Sequence, residues 1–151
     1  MQLQQPPQLS SPPLSPIDSI VTTAEIIDLF KQATADLLWS SESDYPLEIV
    51  TWERGVDLTP TALFRHRIAP DLAISQITLS ELFEPMLTIE DWYEADELAR
   101  VDRYTDLYHA IESNLTDVKV FRIGSIEIAI YIVGKTPDGD VVGLKTHVIE
   151  T

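Results

Sequence analysis

Three histidines, His66, His109 and His147, are the only side chains here whose ordinary titration lies near neutral pH. None of them forms an H-x-H or H-E-x-x-H pair, so no local metal motif is present. His66 sits in Arg65-His66-Arg67, the only local basic cluster, and fits an exposed strand as well as a phosphate contact. No G-x-S-x-G elbow, P-loop or G-x-G-x-x-G occurs. Carboxylates are abundant, but no spacing singles out a catalytic pair. Three acidic segments combine residue types that could do other work. Ser41-Glu42-Ser43-Asp44-Tyr45-Pro46 is a polar loop that also fits a plain solvated turn. Glu90-Asp91-Trp92-Tyr93-Glu94 places a large aromatic beside a charge able to meet an arginine, and equally suits the acid-rich start of a helix. Glu150-Thr151 ends the sequence two residues past an expected strand, so Thr151 would be held, offering a hydroxyl and a carboxylate that suit Mg²⁺.

Composition narrows the classes. Ten Lys and Arg stand against 25 Asp and Glu, giving a net charge of −15 over 151 residues, of which 44% are hydrophobic. That apolar fraction is ordinary for a folded chain, so the acidity belongs to a globular protein. A charge of this sign excludes a phosphate-backbone binder and opposes adhesion to anionic lipid. It suits a basic partner and also serves solubility. With no cysteine, disulfides, thiolate metal sites and Cys nucleophiles are all ruled out. No apolar run reaches the ~18 residues of a membrane span. Residues 1–17 hold neither the basic nor the apolar region of a secretory signal. Together these readings give a cytoplasmic expectation.

The elements that must position the acidic segments can be read from pattern. Five of ten prolines fall in the first sixteen residues, so residues 1–18 read as a disordered Pro/Ser/Gln-rich tail and 19–151 as a single domain. Thr22 and Glu25 have capping-box spacing, with Val21 and Ile26 as a staple and a stripe of Ile26, Phe30, Ala33 and Leu37 running to about Leu38. Leu47–Glu53 reads as a strand, Ala62–Arg67 as a weaker one, and Thr78–Phe83 as a short helix stopped at Pro85. A long helix is expected behind a Thr88/Asp91 capping box, with a stripe of Leu98, Val101, Tyr104, Tyr108, Ile111 and Leu115. The period then changes to two. Val118–Ile123 and Ile126–Val133 flank Gly124-Ser125, a type II′ turn signal, and Pro137-Asp138-Gly139 leads to Asp140–Ile149. The result is an antiparallel meander whose middle strand is apolar enough to be central and covered on both faces. The expected class is α+β, with helices on both faces of a mainly antiparallel sheet.

Leu37-Leu38-Trp39-Ser40-Ser41-Glu42-Ser43-Asp44-Tyr45-Pro46-Leu47-Glu48, Asp91-Trp92-Tyr93-Glu94, Val120–Gly124, Val133–Gly139 and Val148–Thr151 together resemble the cyanobacterial nuclease A inhibitor family. The resemblance covers residues 23–151, specific over 37–48 and 91–151 and loose over 53–88. It implies a non-enzymatic α/β/α sandwich, similar in topology to pathogenesis-related protein 1. It implies a monomer with no cofactor of its own. Such a monomer inhibits, one-to-one, a Mg²⁺-dependent, sugar-nonspecific DNA/RNA endonuclease of the ββα-metal type. It further implies that Thr151 coordinates the nuclease's metal, while Glu42, Asp91 and Trp92 meet its arginines and other active-site groups. Two other readings compete: a same-fold binding module with a non-nuclease partner, and a hydrolase using surface carboxylates.

Overall fold

The computed structural model describes residues 21–65 and 71–151. The Pro-rich tail lies outside these residues, as does His66. Thr22 opens the first helix, α1 (Thr23–Thr34). The Glu25 amide donates to Thr22 Oγ1 at 3.2 Å and the Thr22 amide donates to Glu25 Oε1 at 2.9 Å, so two orphan donors of the first turn are satisfied. Ile26 and Phe30 turn inward and are fully buried. The helix ends at Thr34, and Asp36 adopts a left-handed φ of 59°.

A small hairpin follows, β1 (Leu38–Ser40) and β2 (Asp44–Pro46), in the register Leu38↔Pro46, Trp39↔Tyr45, Ser40↔Asp44. Next come β3 (Glu48–Trp52), α2 (Pro60–Phe64), β4 (Ile74–Ile77), α3 (Leu79–Leu87) and α4 (Ala95–Asn114). The chain closes with β5 (Thr116–Ile123), β6 (Glu127–Lys135) and β7 (Val141–Ile149). The five longer strands form one sheet in the order β3-β7-β6-β5-β4, and each pairing is antiparallel. The class is α+β, as the pattern suggests.

β6 is the central strand, and its alternation divides the core. Ile128, Ile130 and Ile132 face a layer built from α1, α3 and α4, where Phe30, Phe83, Tyr104, Leu107 and Ile111 are buried. Tyr131 and Val133 face the opposite side, against Leu58, Leu63 and Phe64 from α2 and the loop before it. Burying each such side chain stabilises the fold by about 1.5–3 kcal/mol, which is why a strand apolar on both faces is pulled to the middle. β6 and β7 approach so closely at Gly143 that a Cβ there would lie 2.1 Å from the Ile132 carbonyl oxygen.

Several boundaries differ from expectation. Ala62–Arg67 is not a strand within its described part. Thr59 caps the Ala62 amide through Oγ1 at 3.3 Å and Pro60 takes the first helical turn, so Leu63 and Phe64 enter the core from a helix. Thr78 and Glu81 form a capping box for α3, which continues through Pro85 to Leu87. The proline is tolerated in the last turn because the carbonyl it leaves unpaired belongs to exposed Glu81, within reach of solvent. Thr88 and Asp91 do not cap α4. Thr88 Oγ1 donates back to the Glu84 carbonyl at 2.8 Å, and the N-cap is Glu94, whose amide donates to Glu97 Oε1 at 2.9 Å. The α4 stripe begins at Val101 and includes Leu107, while Leu98 is 40% exposed. The β5–β6 connection is wider than a two-residue turn, because the pairing Ile123↔Ala129 leaves residues 124–128 between them.

Candidate functional site

The Ser41–Ser43 tip reads as a loop in sequence, yet the β1–β2 hairpin fixes it from both sides. Trp39 is only 2% exposed, and its ring meets Phe83 and Tyr104 edge-on at centroid distances of 5.0 and 5.4 Å. The Tyr104 hydroxyl donates to the Leu38 carbonyl, and burial pushes that phenol above its ordinary range. On β2, the Pro46 carbonyl accepts from Thr146 Oγ1 at 2.9 Å, and the Tyr45 ring tilts against His147. Within the tip, the Ser41 amide donates to the Ser43 carbonyl at 2.9 Å.

So anchored, the tip meets the end of β7. β3 pairs with β7 only as far as Glu48↔Lys145, so residues beyond Lys145 need other partners on that side. Successive amides of an extended chain point to opposite sides, and the hairpin tip takes alternate ones. Ser41 Oγ accepts from the Ile149 amide at 3.1 Å, and Glu42 Oε2 accepts from the Thr151 amide at 2.9 Å. The intervening Glu150 amide points the other way and donates to the Ile126 carbonyl at 2.9 Å. Glu42 Oε1 also accepts from Thr151 Oγ1 at 2.7 Å. Both bonds come from Thr151, and together they hold the Glu42 carboxyl below its ordinary value of 4.5, the backbone bond contributing most. Beside this clasp, Arg122 Nη2 donates to Glu150 Oε1 at 2.7 Å.

Asp91 and Trp92 lie in residues 88–94, between α3 and α4, not inside a helix. A turn closed by the Tyr93 amide on the Glu90 carbonyl at 3.0 Å shapes this connection. Trp92 stands 66% exposed, with Tyr93 edge-on at 4.7 Å, and Asp91 is exposed beside it. The Trp92 side and the clasp side open onto two adjoining hollows. One is lined by Trp92, Tyr93 and Tyr104, the other by Ser41, Arg122 and Glu150, and Ser40, Pro85 and Met86 belong to both.

Of the four residues that sequence singled out, Glu42 and Thr151 therefore touch directly. Asp91 and Trp92 make no hydrogen bond to that pair; Trp92 lines the hollow that adjoins the one lined by their chain neighbours Ser41 and Glu150. Glu81, Glu97 and Glu150 line the two hollows together with Arg100 and Arg122, and Glu42, Glu90 and Asp91 are exposed on the adjoining segments, so acids outnumber bases around the rim. Ser41 and Arg122 are the contributors that pattern reading missed. The serine flanking Glu42 was a visible signal, but its partner, Ile149, lies 108 positions away. Among the described residues, no group of three or more His, Asp or Glu side chains is arranged to hold a metal ion, and no helix is long and apolar enough to cross a membrane.

What this arrangement can do chemically is limited and specific. Thr151 donates its hydroxyl proton to Glu42, which leaves the lone pairs of that oxygen free to act as a hard ligand. The acidic rim can meet guanidinium groups, and the exposed indole can serve as an anchor. No curated protein matches the chain. The family model described as nuclease A inhibitor-like protein matches residues 24–151, and the chain belongs to that nuclease A inhibitor-like family.

Proposed function

We propose that this protein inhibits a Mg²⁺-dependent, sugar-nonspecific endonuclease of the ββα-metal type by occupying its active site. The observation that carries the reading is the Glu42–Thr151 clasp at the end of β7. A nuclease cleft is positively charged because it holds phosphates, so an acidic rim is drawn into it. Once there, the Thr151 oxygen takes the position on the nuclease's metal that the scissile phosphate needs. Glu42 keeps that oxygen aimed and has lone pairs left for an arginine of the partner. Asp91 meets a second cationic group, and Trp92 fills an adjacent hollow. The protein performs no chemistry of its own in this scheme and forms a one-to-one complex.

The segment that departs most from the family pattern divides in a way that supports the reading. Residues 53–65 cover the sheet face opposite α3 and α4, away from the groove. α3 supplies Pro85 and Met86 to the groove floor, so divergence there would alter which nuclease is accepted and leave the clasp intact. The direct test titrates the purified chain into plasmid digestion by a ββα-metal nuclease with Mg²⁺. Stoichiometric arrest is expected, and the variant lacking Thr151 should lose most inhibition while melting normally. Unimpeded digestion at large molar excess of the intact chain would sink the proposal.

A further inference from the structure

We infer that Ile126 and Ile89 are additional partner-binding residues, apolar anchors beside the Glu42–Thr151 clasp and beside Asp91-Trp92 respectively; this rests on the inhibitor reading above and adds the apolar part of the partner's chemistry. Among the described residues, three large hydrophobic side chains are at least 60% exposed: Ile89 at 60%, Ile126 at 60% and Trp92 at 66%. The next, Leu72, is 45% exposed. Isolated exposed apolar residues are ordinary. All three of these, however, flank the candidate site.

Ile126 lies beside the clasp, since its carbonyl holds the Glu150 amide at 2.9 Å and the next residue, Glu127, pairs with Ile149. The end of the chain after β7 is thus held by Ser41 and Glu42 on one side and, through the Glu150 amide, by the Ile126 carbonyl on the other. That loop is fixed. The Gly124 amide donates to the Ala73 carbonyl at 2.9 Å, and Gly124 holds φ +111°, where a Cβ would lie 2.6 Å from the Glu127 carbonyl oxygen. Ile128, two residues on, is buried. The Ile126 side chain is therefore held out in water between two pinned points, in a conformation that no packing requirement explains. Ile89 occupies the same short connection as Asp91 and Trp92, between the Thr88–Glu84 bond and the Glu90–Tyr93 turn.

Apolar side chains placed around charged contacts exclude water on association, which strengthens those contacts by lowering the local dielectric. The partner accordingly presents nonpolar side chains to the Ile126 loop and to the Ile89–Trp92 connection, not an unbroken basic face.

The test compares intact chain, Ile126→Ser, Ile89→Ser, Ile126→Leu and Leu29→Ser, the last a 38% exposed residue on α1. Each is titrated against a ββα-metal nuclease with Mg²⁺ and plasmid DNA, and each is melted by circular dichroism. Ile126→Ser and Ile89→Ser should each raise the inhibition constant about tenfold with unchanged melting. Ile126→Leu and Leu29→Ser should inhibit as the intact chain does. Serine variants that inhibit equally well overturn this inference alone. An intact chain that does not inhibit overturns the functional reading and this inference with it.

Discussion

Glu42 carries two tasks that substitution can separate. Its carboxylate is the acceptor that holds Thr151 and, in the proposed complex, a negative charge facing the partner. Glu42→Gln removes the charge and replaces one of the two acceptor oxygens by an amide donor. The bond that remains on the oxygen loses its charge assistance, the other survives only if the Thr151 hydroxyl accepts in place of donating, and inhibition should weaken about tenfold. Thr151→Val removes the oxygen and keeps the shape, and should cost more. Thr151→Ser should restore most of the function, which a purely steric role for the methyl group would not predict. The pH dependence follows from the lowered carboxyl value of Glu42. Because the two bonds favour the ionised form, the clasp is complete above the ordinary value of 4.5 and is lost as pH falls through the lowered one. Binding measured by calorimetry should therefore hold level to about pH 5 and fall below it, with a smaller fall in Glu42→Gln. Equal profiles for the two proteins would remove Glu42 from the clasp's pH response.

At the scale of elements, the site depends on a hairpin whose strands are three residues each. Pieces so short have no stability of their own, so Trp39 is the residue that holds them. Trp39→Ala should destabilise the fold by about 3–5 kcal/mol, from lost burial plus the cavity left between Phe83 and Tyr104. Inhibition should fall further than residual folding explains, because the Ser41–Ser43 tip would no longer meet β7. Thr78→Ala is the contrasting case. It removes the α3 cap bond, found at 3.0 Å, and should cost about 1 kcal/mol in a urea melt while sparing inhibition. The capping box of α1, the β5–β7 meander and the covered central strand were legible in sequence because spacing and local chemistry alone specify them. The hairpin was not, because what makes Leu38–Ser40 a strand is Tyr104, Thr146 and the Trp39 pocket, all distant in sequence. The α4 start was misplaced because Glu90, Asp91, Glu94, Asp96 and Glu97 offer several equivalent acids for one helix end. α2 was misread because Leu63 and Phe64 look the same whether a helix or a strand delivers them to the core. Of the site, Glu42, Asp91, Trp92 and Thr151 were nameable by motif, while the Glu42–Thr151 contact required the folded chain.

Over the whole molecule, the charge of −15 acts through its distribution. Residues 84–117 hold ten acids against Arg100 and Arg103, so their balance is 2 − 10 = −8. This stretch includes the acids beside Trp92, which lines one hollow, while Glu150 lines the other and Glu42 follows Ser41 at its edge. Apart from acids that cap helix ends, such as Glu25, Glu81 and Glu97, exposed ion pairs such as Lys135–Asp117, at 3.9 Å, contribute little to stability. In the proposed complex the surplus acids act at a distance, by steering a basic cleft toward the clasp. Long-range steering and short-range contact separate in kinetics. Screening shortens the reach of the acidic field from about 30 Å at 0.01 M salt to about 3 Å at 1 M. Association measured by stopped flow should slow by about tenfold or more over that range, while the dissociation rate changes much less. Replacing Glu90, Glu94 and Asp96 together by their amides should flatten the salt dependence of association and leave dissociation near that of the intact chain. Removing Thr151 should do the reverse, raising the dissociation rate with the salt slope of association preserved. If the triple amide variant instead dissociates faster at unchanged association, those acids are contacts of the bound complex, and the steering role passes to the remaining charges of the rim.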